Sequence, residues 1–581
     1  MYKYFKLYFQ FRRNLNLELT ENALYVLKQR YLRKDENKDF LETPQELFER
    51  ISKAIAVTEV KYGKNIEEIE ELRNKYLDIL TTFKFLPNSP TLMNAGSELG
   101  ILSACFVLPI EDDIESIMDG VKNSSLIHKE GGGTGFSFSN LRPKGDVVKK
   151  SGGIASGPVS FMKIYNAVTD VIKQGGRRRG ANMGVLHYWH PNIEDFIACK
   201  EKEGNFSNFN ISVGVDNIFM DAVVNDKEIE LINPRTKKVV REVNARSIWN
   251  LILIMSWRNG EPGILFFDKI NVSNPTPELG EIEAVNPCGE QPLLPYEACN
   301  LGSINLSKFV VEGRTRWKEL EDTVRLAIRF LDSVIDASKF PIKKISENVK
   351  GNRKVGLGIM GWHDYLILKK IRYDTEEALQ MARDTMKFIS TIARDESRNL
   401  GKEKGNFPNK DKSIWKDEKY MRNATVTTIA PTGTIAIIAN TSQGIEPIFA
   451  LKYTRNVKNS LGRNLIEIDS TVAKILKEKG LKSIEELSEE DRNLLVTANE
   501  VDPIFHVRMQ AAFQKYTDNA VSKTVNLPNN ATIHDVEKIF LEAYKLNCKG
   551  ITLYRNGSRS EQLLSKTEEC NNDFGICELC S

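Results

Sequence analysis

No stretch of the 581 residues approaches the eighteen or so consecutive apolar side chains that a membrane span needs; the densest, "NLILIM" and "IAIIA", are short enough for a core. The chain also lacks an excess of either charge. With 81 basic and 78 acidic residues and a net +3, nothing argues for nucleic acid or an anionic membrane as its main partner. Cysteine is sparse: eight in so long a chain exclude a disulfide scaffold and point to the reducing cytoplasm, where a disulfide would be catalytic. No period of 20 to 50 residues repeats, which excludes a solenoid. The N-terminal "MYKYFKLYFQFRRNLN" is interrupted by Lys3 and Lys6 and lacks a small-residue cleavage site, so residues 1–16 read as an extension, not a targeting signal.

What is present is a large apolar fraction, 41%, in a pattern that changes near Phe85. Residues 17–84 are helical in spacing: "ENALYVLKQRYL", "TPQELFERISKAIA" and "NIEEIEELRNKYLDILTTF" carry apolar residues three and four apart, and Thr43-Pro44 starts the second. From 85 to 559, glycine-rich breaks such as "GGGTGFSFSNLRPKGD" and "KQGGRRRGANMG" separate helical patterns from β-branched runs such as "NFNISVGV" and "ATVTTIA". This alternation predicts an α/β architecture with a mostly parallel sheet. Residues 560–581 turn polar and end in "ECNNDFGICELCS", which reads as a flexible arm carrying thiols.

The stretch "NPCGEQPLLPYEACNLGSINL", residues 286–306, sets an amide, a thiol and a carboxylate on alternate positions. In extended backbone, Asn286, Cys288 and Glu290 would share one face and converge on one ligand. Pro287 supports extension by biasing Asn286 away from helix. Glu290 would lie about 7 Å from Cys288 along such a strand, too far to be its direct base but able to act on another atom of the same substrate.

This stretch resembles the catalytic large chain of ribonucleotide reductases, most closely the adenosylcobalamin-dependent class II group. So do "LPNSPTLMNAG", "SACFVLPIEDDIESI", "GGIASGPVSFM", "NPRTKKVV", "GEPGILFFD", "APTGTIAIIANTSQGIEPIFA" and "DNAVSKTVNLP", in one order along the chain. The resemblance implies a ten-stranded α/β barrel with a helical N-terminal region and a finger loop bearing Cys288. It makes Cys288 the thiyl radical that abstracts the ribose 3′ hydrogen, Glu290 the base toward the 3′ hydroxyl, and Asn286 a hydrogen-bonding partner of the same ribose edge. Cys105 and Cys299 are implied to meet across the barrel as the dithiol oxidised at each turnover. Cys577 and Cys580 are implied to reduce that disulfide and to be reset by a thioredoxin-like protein. A zinc site using Cys570, Cys577 and Cys580 would be a ligand short, and Cys199 and Cys548 fit no motif.

The loop "APTGTI" reads as a strand-to-helix turn offering N–H groups and hydroxyls to a phosphate. The resemblance assigns Pro431, Thr432, Gly433, Thr434 and Ile435 to substrate phosphates, with Ser89, Ala104 and Gly133 as further substrate contacts. It assigns Asp112 and Arg142 to a site for deoxynucleotide or ATP effectors, and Gln174 and Arg178 to the loop that links this site to the active site. A homodimer follows, since that site lies at a dimer interface in such enzymes.

Only about twenty residues precede "ENALYVLKQRY", too few for an ATP cone, so specificity control is expected without a dATP off-switch. No class III glycyl radical terminus is seen. "GITLYRNGSR" carries Leu553 beside Tyr554 where class I chains carry two tyrosines for a radical relay. Adenosylcobalamin is therefore the expected radical source, with a class I chain needing a separate radical subunit as the alternative. No Asp-x-His-x-x-Gly cobalamin motif is present, and class II reductases do not use one. No metal site, membrane or nucleic acid is expected.

Overall fold

The computed structural model describes residues 17–98, 100–148, 152–174, 178–455, 465–558 and 564–566. Cys570, Cys577 and Cys580 lie outside them.

Five strands run parallel in chain order: β1 (Cys105–Val107), β2 (Gly133–Ser137), β3 (Asn182–His187), β4 (Phe209–Val215) and β5 (Gly263–Phe266). A second parallel set starts with β6 (Ala298–Asn305) and β7 (Val355–Met360) and ends with β8 (Thr524–Leu527) and β9 (Gly550–Arg555). Between β7 and β8 lies the extended segment 425–429, bridged in parallel through Leu357↔Thr427 and Ile429↔Val521. The two sets join antiparallel at both seams, β1 to β6 and β5 to β9, which closes the ring. The mostly parallel sheet expected from the sequence is thus two parallel halves facing opposite ways. The strand Phe85–Pro87 adds to β6 from outside, antiparallel.

The predicted helices form where their apolar spacing demands. Thr43 and Asn65 cap Pro44–Ala56 and Ile66–Thr81, each through a reciprocal bond with Glu46 or Glu68. The patterns "SIWNLILIMSWRNG" and "TVRLAIRFLDSVIDASKF" form the helices Ala245–Asn259 and Trp317–Ala337, which end one and three residues before the patterns do. Among the described residues, no helix is long and apolar enough to cross a membrane.

A buried ionic cluster ties the N-terminal helices to the barrel. Glu59, Asp332 and Asp336, with the exposed Glu403 at the rim, meet Arg329, Arg353, Lys404 and Arg422, so four negative charges balance four positive ones. Lys404 lies 2.7 Å from Glu59 and 3.5 Å from Asp332, and Arg353 lies 2.8 Å from Asp332. Burial pushes the Asp332 carboxyl up, but Arg353, Lys404 and Arg422 outweigh it and hold the group well below the usual range. Its contribution to stability is therefore complete above the unfolded carboxylate pKa and is lost as pH falls through the lower folded value. Because Arg353 precedes β7 and Arg422 precedes segment 425–429, the cluster fixes where two barrel strands begin.

Asp332→Asn, which leaves buried cations unmatched, is expected to cost about 3–5 kcal/mol in denaturant unfolding. A loss below about 1 kcal/mol would show that the cluster does not hold this seam.

Candidate active site

The barrel interior is occupied by a hairpin made of Ala284–Val285 and Pro292–Leu293, paired Ala284↔Leu293 and Val285↔Pro292. Cys288 sits at its tip. The extended backbone expected for Asn286–Glu290 is not what forms: Gly289 N–H donates to the Asn286 carbonyl at 3.0 Å, closing a turn, and Gly289 has φ +81°. Asn-Pro-Cys-Gly is turn chemistry, with Asn first, Pro second and Gly fourth. The Asn286 side chain accepts from Gln291 N–H at 2.9 Å and the Gln291 carbonyl accepts from Asn286 N–H at 3.1 Å, fastening the loop's ends.

Strand glycines make the seat. A Cβ on Gly135 would lie 1.7 Å from the Val285 carbonyl oxygen, and one on Gly133 would lie 2.8 Å from the Pro287 ring. Asn210 of β4 donates to the Pro287 carbonyl at 2.7 Å. From the other half-barrel, the Thr428 hydroxyl and Ala520 N–H both donate to the Glu290 carbonyl at 2.9 Å. The tip is held from both sides.

Three of the predicted groups converge on a fourth. Cys105 and Cys299 are register partners on β1 and β6, so their side chains share a face. They meet as neighbours across one seam and not from opposite walls, with Cα atoms about 4.5–5.5 Å apart, within disulfide range. Both are buried thiols. Asn286 Nδ2 donates to Cys105 Sγ at 3.1 Å, and Cys105 Sγ points at Glu290 Oε1 at 3.8 Å. Burial pushes the Cys299 thiol well up, against a smaller opposing pull from Lys354, so it stays protonated at neutral pH. It faces the Asn300 and Lys354 carbonyls at 3.4 and 3.6 Å. Behind it the buried Lys354–Glu297 pair closes at 2.6 Å.

Cys288 is exposed where its neighbours are buried, and it faces a cavity of about 770 Å³. β4, β5 and β9 line this cavity through Asn210, Ile264, Gly550, Leu553 and Tyr554, and the loop after segment 425–429 adds Pro431 and Gln443. The hairpin tip therefore divides a large cavity from the closed cluster of Asn286, Glu290, Cys105 and Cys299.

The loop 431–435 starts at the wall of this cavity, which Pro431 lines. Thr432 takes φ +56° and its hydroxyl accepts from Gly444 N–H at 2.7 Å, while Ile435–Ala439 is a single short helical turn. Two residues that sequence reasoning missed tie the N-terminal region to candidate substrate contacts: Arg30 donates to the Thr434 hydroxyl of the loop at 3.0 Å, and Tyr31 shares a 2.8 Å bond with the hydroxyl of Ser89, in the helix Ser89–Asn94. Nothing in "KQRY" signals contacts formed 58 and 404 residues away. Ala104 N–H donates to the Cys299 carbonyl at 3.3 Å, and Gly133 N–H to the Ala104 carbonyl at 2.8 Å.

Asp112 and Arg142 are placed together, Nε to Oδ2 at 2.8 Å, with Arg142 N–H also donating to Oδ1 at 3.0 Å. Gln174 and Arg178 are register partners in a two-residue ladder, Lys173–Gln174 with Arg178–Arg179. Among the described residues, no group of three or more His, Cys, Asp or Glu is placed to hold a metal.

Two family models match this arrangement: the ribonucleotide reductase barrel domain over residues 103–554 and the ribonucleotide reductase all-alpha domain over residues 17–100. The chain belongs to the ribonucleotide reductase family. It is 46% identical to a vitamin B12-dependent ribonucleoside-diphosphate reductase of Thermoplasma acidophilum, over 95% of this chain and 80% of that one. It is 44% identical to a protein of the same name from Mycobacterium tuberculosis, over 94% and 81%. A vitamin B12-dependent ribonucleotide reductase of Streptomyces avermitilis is 30% identical, over 94% and 66%.

Two outcomes test the geometry of this reductase site. Iodoacetamide is expected to alkylate Cys288 ahead of Cys105 and Cys299, read by peptide mass spectrometry; equal rates at all three would contradict the division at the tip. Gly135→Ala is expected to displace the hairpin and lower turnover at least tenfold, and unchanged turnover would show that the seat is not needed.

Proposed function

We propose that this chain reduces ribonucleoside diphosphates to 2′-deoxyribonucleotides with adenosylcobalamin as radical source. The observation that carries the reading is the position of Cys288, between a large cavity and a closed dithiol and carboxylate cluster. The cavity, of about 770 Å³, is within the range of small-molecule sites, and its largely apolar wall reaches Cys288 itself, so the residues present fit a bulky organic cofactor beside the thiol. Asn210, Ile264, Gln443, Gly550 and Leu553 would hold it. When bound, adenosylcobalamin supplies a carbon–cobalt bond that cleaves homolytically. Leu553, in place of a relay tyrosine, agrees with a radical source inside this chain.

On the other side of the tip the residues carry out the reduction. Cys288, as a thiyl radical, takes the ribose 3′ hydrogen and later returns it, so it is neither oxidised nor reduced overall. Glu290 accepts the 3′ hydroxyl proton, and Asn286 hydrogen-bonds the same edge of the sugar. The 2′ hydroxyl leaves as water with one hydrogen, carbon 2′ gains the other, and the two come from the thiols of Cys105 and Cys299, which end as a disulfide. Cross-strand register lets that bond form with little backbone movement. Thr432, Gly433, Thr434 and Ile435 hold the diphosphate beside Pro431, with Ser89, Ala104 and Gly133 along the nucleoside.

Cys577 and Cys580 pass two electrons to the internal disulfide and are reset by a thioredoxin-like dithiol. Asp112 orients Arg142 for a deoxynucleotide or ATP effector, and the Gln174–Arg178 ladder carries the effector's identity inward. Exposed Ile114, Met118 and Val171, on the helices Ile114–Lys129 and Pro158–Val171, favour a homodimer through this face. A cytoplasmic setting suits a chemistry that depends on reduced thiols.

Purified chain, kept anaerobic with dithiothreitol and a dATP or dTTP effector, is expected to convert CDP to dCDP only when adenosylcobalamin is added. Product that needs a second, metal-bearing subunit would overturn the cofactor assignment. Cys288→Ser is expected to abolish product while leaving nucleotide binding intact, and measurable turnover in that variant would overturn the radical assignment.

A further inference from the structure

The described chain does not end with β9. After Arg555 and Ser558, strand Leu564–Lys566 pairs antiparallel with Lys452–Arg455, in the register Tyr453↔Lys566, Thr454↔Ser565 and Arg455↔Leu564. Lys452–Arg455 also pairs with Leu465–Ile468, so it is the middle strand of three, and Leu564–Lys566 covers what would otherwise be its open edge. Two strands alone are marginal in water, and a third makes such a sheet persist.

This small sheet is rooted in the wall of the cavity that Cys288 lines. Ile448 and Phe449, just before its middle strand, and Asp469, just after Leu465–Ile468, are all lining residues. Asp469 N–H donates to the Leu451 carbonyl at 3.0 Å, Ala498 N–H donates to the Ile448 carbonyl at 2.7 Å, and the Asp469 carboxylate caps Ser470–Lys479. The chain leaving β9 is thus fixed a second time, on a platform continuous with the active-site wall.

We propose that Leu564–Lys566 is the anchor of the C-terminal redox arm, a strand added to Lys452–Arg455 that sets the reach and local concentration of Cys577 and Cys580 at the active site. The inference rests on the reading that these two thiols reduce the internal disulfide. In that step a Cys577 or Cys580 thiolate attacks one sulfur of the Cys105–Cys299 bond and forms a mixed disulfide. The second tail thiol then displaces it, so the tail pair is oxidised and the internal pair regains both hydrogens. From Lys566 to Cys577 is 11 residues, a span of at most roughly 40 Å; from Arg555 it is 22 residues, roughly 80 Å. For a chain long enough to span the gap, halving its length raises the local concentration of its end by about threefold, since that quantity then falls as roughly the −3/2 power of length.

Along an edge strand, alternate N–H groups face the partner, so of Leu564→Pro and Ser565→Pro one must remove a ladder hydrogen bond. Each variant, in the full chain, is compared with wild type for hydrogen exchange at 564–566 and for turnover driven by thioredoxin or by dithiothreitol, a small dithiol that reaches the buried pair without the arm. At least one variant is expected to lose protection at 564–566 and about threefold of its thioredoxin-driven turnover, with dithiothreitol-driven turnover unchanged. Lost protection with thioredoxin-driven turnover unchanged or raised, an equal fall in both assays, or protection absent already in wild type would overturn the anchor. Cys577→Ser with Cys580→Ser isolates the underlying reading: if that double variant keeps wild-type thioredoxin-driven turnover, the arm is not the reductant and the anchor falls with it.

Discussion

The carbonyl of Val285 occupies the space that a side chain on Gly135 would need, and most of the interior follows from that contact. A barrel of eight strands is just wide enough for side chains to fill. Ten strands in two opposed halves leave room for a second layer of backbone, provided the wall facing it carries no Cβ. Gly133 and Gly135 supply that wall on β2, Asn210 clamps the Pro287 carbonyl from β4, and Thr428 with Ala520 clamps Glu290 from the other half. The hairpin is thereby held by both halves, and its tip position is a property of the closed ring.

From that tip the chemistry divides by burial. Cys288 looks into the large cavity, while Asn286 and Glu290, two residues to either side, reach Cys105 on the closed face. In the proposed reaction, a thiol that exchanges one hydrogen with a radical source and another with a sugar needs access from both sides. A dithiol that forms a disulfide in that reaction needs its partner and shelter from stray oxidants. Register supplies the first requirement and burial the second, and burial also keeps Cys299 protonated. The N-terminal helices belong to this design. Arg30 and Tyr31 brace Thr434 and Ser89, and Glu59 is locked into the buried ionic cluster that fixes the starts of β7 and segment 425–429.

Much of this is legible in the sequence. Apolar spacing marks helices that form, and the resemblance names Cys105, Asn286, Cys288, Glu290 and Cys299, which the barrel brings to one hairpin and one seam. At 286–290 the period-two spacing of Asn286, Cys288 and Glu290 fits a strand, but Asn-Pro-Cys-Gly is the stronger signal and a turn forms. Cys105 and Cys299 lie 194 residues apart, and only the β1–β6 register, a tertiary fact, makes them neighbours. Arg30, Tyr31 and Asn210 left no trace in the sequence, since polar side chains braced against distant loops look like any others. The small sheet that receives Leu564–Lys566 depends on pairing between segments over a hundred residues apart, which local propensity does not report.

The central claim is that the tip thiol and the cross-strand pair have separate roles, one carrying the radical and the other the electrons. It is tested most directly by letting prereduced protein with Cys577→Ser and Cys580→Ser turn over CDP once, without external reductant, and mapping the cysteines. The account predicts one dCDP per active site, a disulfide linking Cys105 to Cys299, and Cys288 recovered as a thiol. A disulfide that includes Cys288, or product formed with Cys105 and Cys299 both still reduced, would contradict it.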